Sequence, residues 1–136
     1  MEAKLTWQGR MSFDVVADSG HTVRLGTRPE YGGDDDGPSP MELVVMALAG
    51  CTASDVVSII GKKQQDLTSL EIKVHGERVD EYPRVYKKLF VEYVFGGNNL
   101  DPKAVERSVQ LSVEKYCSVQ AMLKAVVPIE HKITIL

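Results

Sequence analysis

Residues 39–61 read SPMELVVMALAGCTASDVVSIIG, and this apolar stretch determines how the rest of the chain is interpreted. Ser39 can cap a helix, Pro40 suits the first helical position, and Glu42 follows three residues after the cap, which is the pattern of a capping box. The helix is predicted to run to about Gly61, and it is apolar almost all round. Because a helix without a polar face must be covered by other elements, we predict a buried central helix. So small a chain is unable to cover every side alone, which favours a homodimer.

The same stretch approaches the length of a membrane span, which needs about 20 apolar residues. Asp55 lies in its second half, where an ionised carboxylate would cost roughly 3 kcal/mol in the bilayer. Thr52, Ser54 and Ser58 add to this penalty. We therefore expect no membrane partner.

Length and composition are those of an ordinary globular protein. The chain has 136 residues, 43% hydrophobic and 26% charged, which predicts a single domain spanning residues 1–136. Its net charge is −3 and its basic residues are scattered, so nucleic acid is not an expected partner. The N-terminus has no secretory signal pattern, which predicts a cytoplasmic protein. In that reducing compartment two cysteines are normally thiols.

Alternating strands are predicted on both sides of the central helix. The first quarter indicates an antiparallel meander, and the glycines, prolines and aspartates of residues 27–40 indicate a loop. After the helix come two strands of a hairpin, then an amphipathic helix capped by Asp101, a break, a short helix and a last strand. In order, these later elements are Leu70–His75, Val85–Phe95, the helix after Asp101-Pro102, the break at Cys117-Ser118, the helix through Leu123, and Ile129–Leu136. The order is that of an α+β protein, because no regular βα alternation supports a parallel sheet.

The two cysteines, Cys51 and Cys117, are the residues most suited to chemistry. A cysteine in a buried helix often serves only as a small hydrophobe, so a packing role for Cys51 is one interpretation. Its neighbours are small, however, and leave room for a molecule to approach the sulfur. Cys117 lies beside Ser118 at a helix break, where a helix N-terminus can favour the reactive thiolate.

Two motifs resemble the OsmC/Ohr superfamily, named for osmotically inducible protein C and the organic hydroperoxide resistance proteins. The first is Ser39–Leu43 leading through Ala47 to Cys51, and the second is Lys115–Val119 followed by Leu123. The interval between the cysteines and the order of elements also suit the family. The resemblance is nearest to the YhfA-like branch and implies the OsmC-like fold, an intertwined homodimer with its central helices in the middle and two sites at the interface.

The resemblance also implies a thiol peroxidase that reduces organic hydroperoxides. Cys51 would attack the peroxide, and Cys117 would resolve the sulfenic acid as a disulfide. The electrons would come from a small dithiol or a lipoylated protein, with no flavin, haem or metal cofactor. Family peroxidases add an arginine from the early loop and a glutamate directly after the motif proline. By this resemblance Arg28 is the first arginine candidate, with Arg24 in reserve.

The glutamate position departs from the peroxidase pattern. Met41 follows Pro40 directly, and Glu42 comes one residue later, about 100° further round the helix. Glu42 is therefore both a candidate catalytic carboxylate and a candidate capping residue.

Other polar residues give weaker signals. His21, His75 and His131 have no cysteine or carboxylate at ligand spacing, so no metal site is expected. Residues 34–37 are similar to the start of a calcium loop but have Val45 in place of the twelfth-position glutamate, which favours a solvated acidic loop. Asp55 stands one turn after Cys51, where it could anchor a cation, hydrogen-bond near the sulfur, or cap a neighbouring segment.

Three hypotheses of function follow. The leading one is the organic hydroperoxide reductase just described. The second is a non-catalytic dimer that binds an apolar or electrophilic small molecule, with the cysteines as sensor or lining, and Met41 after Pro40 favours it. The third is a structural dimer with two inert cysteines.

Overall fold

Helix α1 runs from Pro40 to Lys62 in a computed structural model that describes all 136 residues. The predicted capping box is confirmed. The backbone N–H of Ser39 donates to Glu42 Oε2 at 2.6 Å, and the Glu42 N–H donates to Ser39 Oγ at 3.4 Å. These reciprocal bonds satisfy backbone donors that the first helical turn leaves without partners.

Within one chain α1 is buried along a single stripe. Leu48, Thr52, Val56 and Ile60 recur every four residues and are at most 1% exposed. Other apolar side chains of the helix are open, including Met46 at 55% and Val57 at 51%. The prediction of a helix buried on all sides is therefore not met by a single chain. By length and composition α1 is also long and apolar enough to cross a membrane, a test that core helices of soluble proteins pass as well.

The chain forms two compact units, Met1–Val44 and Val45–Leu136. The first unit contains the predicted meander, a three-stranded antiparallel sheet in the order β1-β2-β3. Its strands are β1 (Ala3–Trp7), β2 (Phe13–Ala17) and β3 (Thr22–Leu25). The following loop contains one 3-10 turn, Pro29–Tyr31, which the sequence interpretation did not include.

The second unit is built on a sheet in the order β4-β5-β6. Strands β4 (Asp66–Arg78) and β5 (Tyr86–Asn98) form the predicted antiparallel hairpin. Strand β4 extends beyond the predicted range at both ends, whereas β5 begins one residue later than predicted and ends three residues later. Strand β6 (Ile129–Ile135) pairs with β5 in parallel. The class is α+β as predicted, but the expectation of no parallel pairing was wrong for this pair. The helices between β5 and β6 supply the crossover that parallel neighbours require.

That crossover contains two helices separated by a distorted turn. Helix α2 (Pro102–Leu111) begins at Asp101, whose carboxylate accepts the Lys103 N–H at 3.0 Å, so the predicted cap is confirmed. A π-helical turn, Ser112–Tyr116, follows, and α3 spans Ser118–Leu123. Cys117 is the extended residue between them, at the predicted break.

One apolar core holds the second unit together. Alternate residues of β5 are fully buried, namely Leu89, Val91, Tyr93 and Phe95. They pack in the same cluster as the buried stripe of α1 and as Val105 and Val109 of α2. The alternation follows from strand geometry, since every second side chain points to the same face. This core fixes the positions of α1 and of the break at Cys117.

Candidate active site

Cys51 and Asp55 lie one turn apart on α1, so their side chains share a face of the helix. Both are partly exposed. The intervening Thr52 is fully buried, and its hydroxyl donates to the carbonyl oxygens of Leu48 and Ala49 within the helix. Cys51 and Asp55 therefore lie beside the buried core but stay partly exposed to solvent.

Cys117 is 2% exposed and is fixed by its own backbone. Its N–H donates to the Ser112 carbonyl oxygen at 2.9 Å, and its Sγ accepts the N–H of Gln120 at 3.3 Å. The sulfur therefore acts as the N-cap of α3. The π-helical turn links the end of α2 to Cys117.

The fold brings these three side chains together. Cys51 Sγ, Cys117 Sγ and a carboxylate oxygen of Asp55 all lie within 4.8 Å of one another. Asp55 Oδ2 also accepts a hydrogen bond from Ser112 Oγ at 2.9 Å. Asp55 is therefore both close to the sulfurs and bonded to the turn that precedes Cys117. Both cysteines are free thiols.

The surroundings of Cys117 favour its protonated form. Burial raises the pKa of Cys117, and a hydrogen bond to Cys51 and the negative charge of Asp55 raise that pKa further, against the opposing effect of the Gln120 N–H. The thiol of Cys117 thus keeps its proton well above neutral pH.

A polar network next to the cysteines was missed by the sequence reasoning. The hydroxyl of Tyr93 lies 3.1 Å from His131 Nδ1, and Gln120 Nε2 lies 3.5 Å from His131 Nε2. Burial raises the pKa of Tyr93 and lowers that of His131. The alternation of β5 places Tyr93 on the buried face, and a buried hydroxyl requires a partner, which was the available signal.

The remaining predicted site residues lie in the first unit. Arg28 is exposed and precedes the 3-10 turn, where its carbonyl oxygen accepts from Tyr31 and Gly33. Glu42 is bonded to Ser39 in the capping box, which lowers its pKa, and the positive charge of Arg28 lowers it slightly more. The capping role of Glu42 is thus observed, and catalytic roles for Arg28 and Glu42 stay predictions.

Two aspartates of the acidic loop form ion pairs with arginines of the first unit. Arg24 forms ion pairs with Asp14 at 2.6 Å and with Asp36 at 2.9 Å. Asp34 pairs with Arg10 at 3.1 Å. Arg24 lies at the surface of its sheet, and two carboxylates already pair with its guanidinium.

Residues 33–132 match the family model described as OsmC-like protein. The chain belongs to the OsmC-like family. Over 131 residues it is 40% identical to protein YhfA of Escherichia coli K12, with 96% of this chain and 95% of that protein covered. The resemblance predicted from the two cysteine motifs is therefore confirmed.

Solved structures agree with this family. A hypothetical protein from Aquifex aeolicus is 29% identical and superposes with a TM-score of 0.86, covering 99% of this chain and 95% of its own. An organic hydroperoxide resistance protein OsmC from Legionella pneumophila is 17% identical, with a TM-score of 0.70 over 98% and 95% of the two chains. The second match shows that this OsmC-like protein shares the fold of a protein named for hydroperoxide resistance.

Proposed function

We propose that this OsmC-like protein is a thiol peroxidase that reduces organic hydroperoxides with Cys51 and Cys117. The observation that supports it best is the approach of the two sulfurs, which lie within 4.8 Å of each other although Cys51 lies in α1 and Cys117 lies at the break before α3. The Cys51 thiolate would attack the O–O bond, releasing the alcohol and forming a sulfenic acid. Cys117 would then displace water and form the disulfide. One hydroperoxide and two thiols thus give one alcohol, one water and one disulfide.

Burial and protonation support this division of roles. Cys51 is partly exposed, so a peroxide can reach it, whereas Cys117 is 2% exposed. The raised pKa of Cys117 keeps it in the less nucleophilic thiol form while Cys51 reacts with the peroxide. We therefore propose Cys51 as the first nucleophile and Cys117 as the resolving thiol.

An apolar substrate is favoured over hydrogen peroxide. The part of α1 around Cys51 carries small apolar residues, Ala47 and Ala53, that are at least partly exposed. Burying the organic group of a hydroperoxide against such a surface would contribute roughly 25 cal/mol per Å². Hydrogen peroxide has no group that could gain this energy.

We also propose a homodimer in the cytoplasm. The open apolar residues of α1 would be covered by a second copy, and the family resemblance implies that arrangement. Val57→Lys should then shift the molar mass in light scattering from two chains to one, while Glu106→Lys on the exposed face of α2 should not. A wild-type protein that is monomeric at micromolar concentration would contradict the dimer.

Arg28 is the proposed activating cation, and a small dithiol or lipoylated protein is the proposed reductant. Support for both comes from the family resemblance. An Arg28→Gln variant should react more slowly with peroxide, because a nearby cation stabilises a thiolate. A variant that reacts at the wild-type rate would exclude Arg28.

The deciding experiment treats reduced protein with cumene hydroperoxide and, separately, with hydrogen peroxide. Thiol loss and intact mass should show an intramolecular disulfide at one equivalent, formed faster with the organic peroxide. Cys51→Ser should abolish the reaction, and Cys117→Ser should stop at a sulfenic acid that dimedone traps. Thiols that survive excess peroxide would refute the proposal.

The second candidate is a non-catalytic pocket for an apolar or electrophilic molecule. It is favoured by Met41 after Pro40 and by the engagement of Glu42 in the capping box. Under this function peroxide would leave the thiols intact, while an electrophile such as an enone would alkylate Cys51 stoichiometrically.

A further inference from the structure

We propose that Cys51, Asp55 and Cys117 form a binding site for a thiophilic divalent cation, with Zn²⁺ as the best fit. Their ligand atoms, two sulfurs and a carboxylate oxygen, lie within 4.8 Å of one another. In tetrahedral zinc sites the metal lies about 2.3 Å from sulfur and about 2.1 Å from oxygen, which separates the ligands by roughly 3.5–3.8 Å. The ligand atoms would have to approach one another by at most about 1.3 Å to reach this geometry.

The donor set selects the metal. Two thiolates are soft ligands that favour zinc over calcium or magnesium, which prefer all-oxygen sites. With the carboxylate the site offers three protein ligands, the number found in zinc sites that keep a fourth position open. Because Cys51 is partly exposed, water or a small ligand could occupy that fourth position.

The backbone holds the three ligands in place before any metal arrives. Cys51 and Asp55 project from one face of α1, and Cys117 is fixed at the break before α3. Ser112 Oγ donates to Asp55 Oδ2, which orients the carboxylate and leaves its other oxygen available. The Gln120 N–H donates to Cys117 Sγ. Hydrogen bonds of this kind orient metal ligands and tune their affinity.

Charge favours a cation at this position. Cys117 keeps its proton in the metal-free protein, so three negative charges meet here only when a metal ion displaces the thiol protons. None of the salt bridges in the structure involves Asp55. A divalent ion would offset most of this repulsion, and binding would release the two thiol protons.

Metal binding and disulfide formation exclude each other, because both use the sulfurs of Cys51 and Cys117 and a disulfide sulfur is no longer a thiolate ligand. The regulatory consequence rests on the proposed peroxidase function. One zinc dithiolate, one hydroperoxide and two protons would give the disulfide, the alcohol, water and free Zn²⁺. Zinc would therefore slow the reaction with peroxide, and oxidation would release the metal.

No metal site was predicted from the sequence, because none of the three histidines has a cysteine or carboxylate at ligand spacing. The proposed site contains no histidine. Asp55 and Cys51 are near in sequence, but Cys117 reaches them only through the folded core.

The test is titration of the reduced protein with Co²⁺, followed by competition with Zn²⁺. We expect one Co²⁺ per chain, with thiolate-to-cobalt absorption in the near ultraviolet and tetrahedral bands in the visible. Asp55→Asn keeps both thiols and should weaken binding at least about 10-fold, and Ser112→Ala should weaken it by about 10–100-fold. Asp80→Asn, the same change at an exposed site, should bind as the wild type does.

The outcomes separate this proposal from the peroxidase. Folding of each variant is checked by circular dichroism, and its thiols are counted before titration. Absence of the thiolate absorption, or equal affinity in Asp55→Asn, would overturn the metal site whatever the reaction with peroxide. Stoichiometric Co²⁺ binding by a protein whose thiols do not react with peroxide in the metal-free state would support the metal site and refute the peroxidase.

Discussion

Replacing Glu42 distinguishes a carboxylate that caps α1 from one that serves catalysis. In the structure Glu42 Oε2 accepts the Ser39 N–H at 2.6 Å, and the side chain is exposed. Losing a capping interaction costs about 0.5–2 kcal/mol, and a favourable charge near a helix N-terminus contributes about 0.3–1 kcal/mol. Because the site is exposed, we expect Glu42→Ala to lower the free energy of unfolding by about 1 kcal/mol.

Glu42→Gln is the more informative variant. Glutamine can still accept the Ser39 N–H, so only the charge is lost, and we expect a cost of about 0.5 kcal/mol. If capping is its sole role, both variants should form the Cys51–Cys117 disulfide with cumene hydroperoxide at the wild-type rate. Glu106→Gln, on the exposed face of α2, serves as the control for a surface carboxylate.

Stability is measured by urea unfolding followed by far-ultraviolet circular dichroism at several pH values. The pKa of Glu42 is lowered in the folded protein, so its contribution is complete above its usual value of 4.5 and is lost as the pH falls through the lowered value. The difference between wild type and Glu42→Ala should therefore shrink in acid. A Glu42→Gln protein of nearly wild-type stability that reacts with peroxide more than 10-fold slower would refute a purely capping role.

Two further predictions concern the core and alkaline pH. Leu48→Ala should lower the free energy of unfolding by about 2–5 kcal/mol, because Leu48 is 0% exposed, and normal stability in urea unfolding would contradict its place in the core. The raised pKa values of Cys117 and Tyr93 mean that both groups stay neutral in the folded protein after they ionise in the unfolded chain. Stability of the reduced protein should thus be complete below about pH 9 and fall above it, by up to about 1.4 kcal/mol per pH unit for each group. Cys117→Ala should delay the onset, and an unchanged alkaline profile would disprove its contribution.

Local patterns in the sequence determined most of the secondary structure. The capping box at Ser39 and Glu42 fixed where α1 begins, and Asp101 fixed the start of α2, because these signals depend only on neighbouring residues. The two cysteine motifs also identified the family correctly. These features need no knowledge of distant contacts.

Pairings between distant segments required the tertiary structure. The parallel pairing of β5 with β6 was not predicted, since it depends on the path of the α2–α3 crossover over the sheet. The network of Tyr93, Gln120 and His131 was missed for the same reason, because its members lie on three different elements.

Asp55 shows most clearly what the sequence determines and what only the tertiary structure determines. The sequence by itself determined that Asp55 shares a helix face with Cys51, because one helical turn separates them. It left open whether the carboxylate caps another segment or faces the sulfur. Only the folded core brings Cys117 and Ser112 to that face, where the carboxylate accepts the Ser112 hydroxyl and lies within 4.8 Å of both sulfurs. The physical reason is that helical periodicity is local, whereas the approach of α1 to the break before α3 depends on packing across the whole second unit.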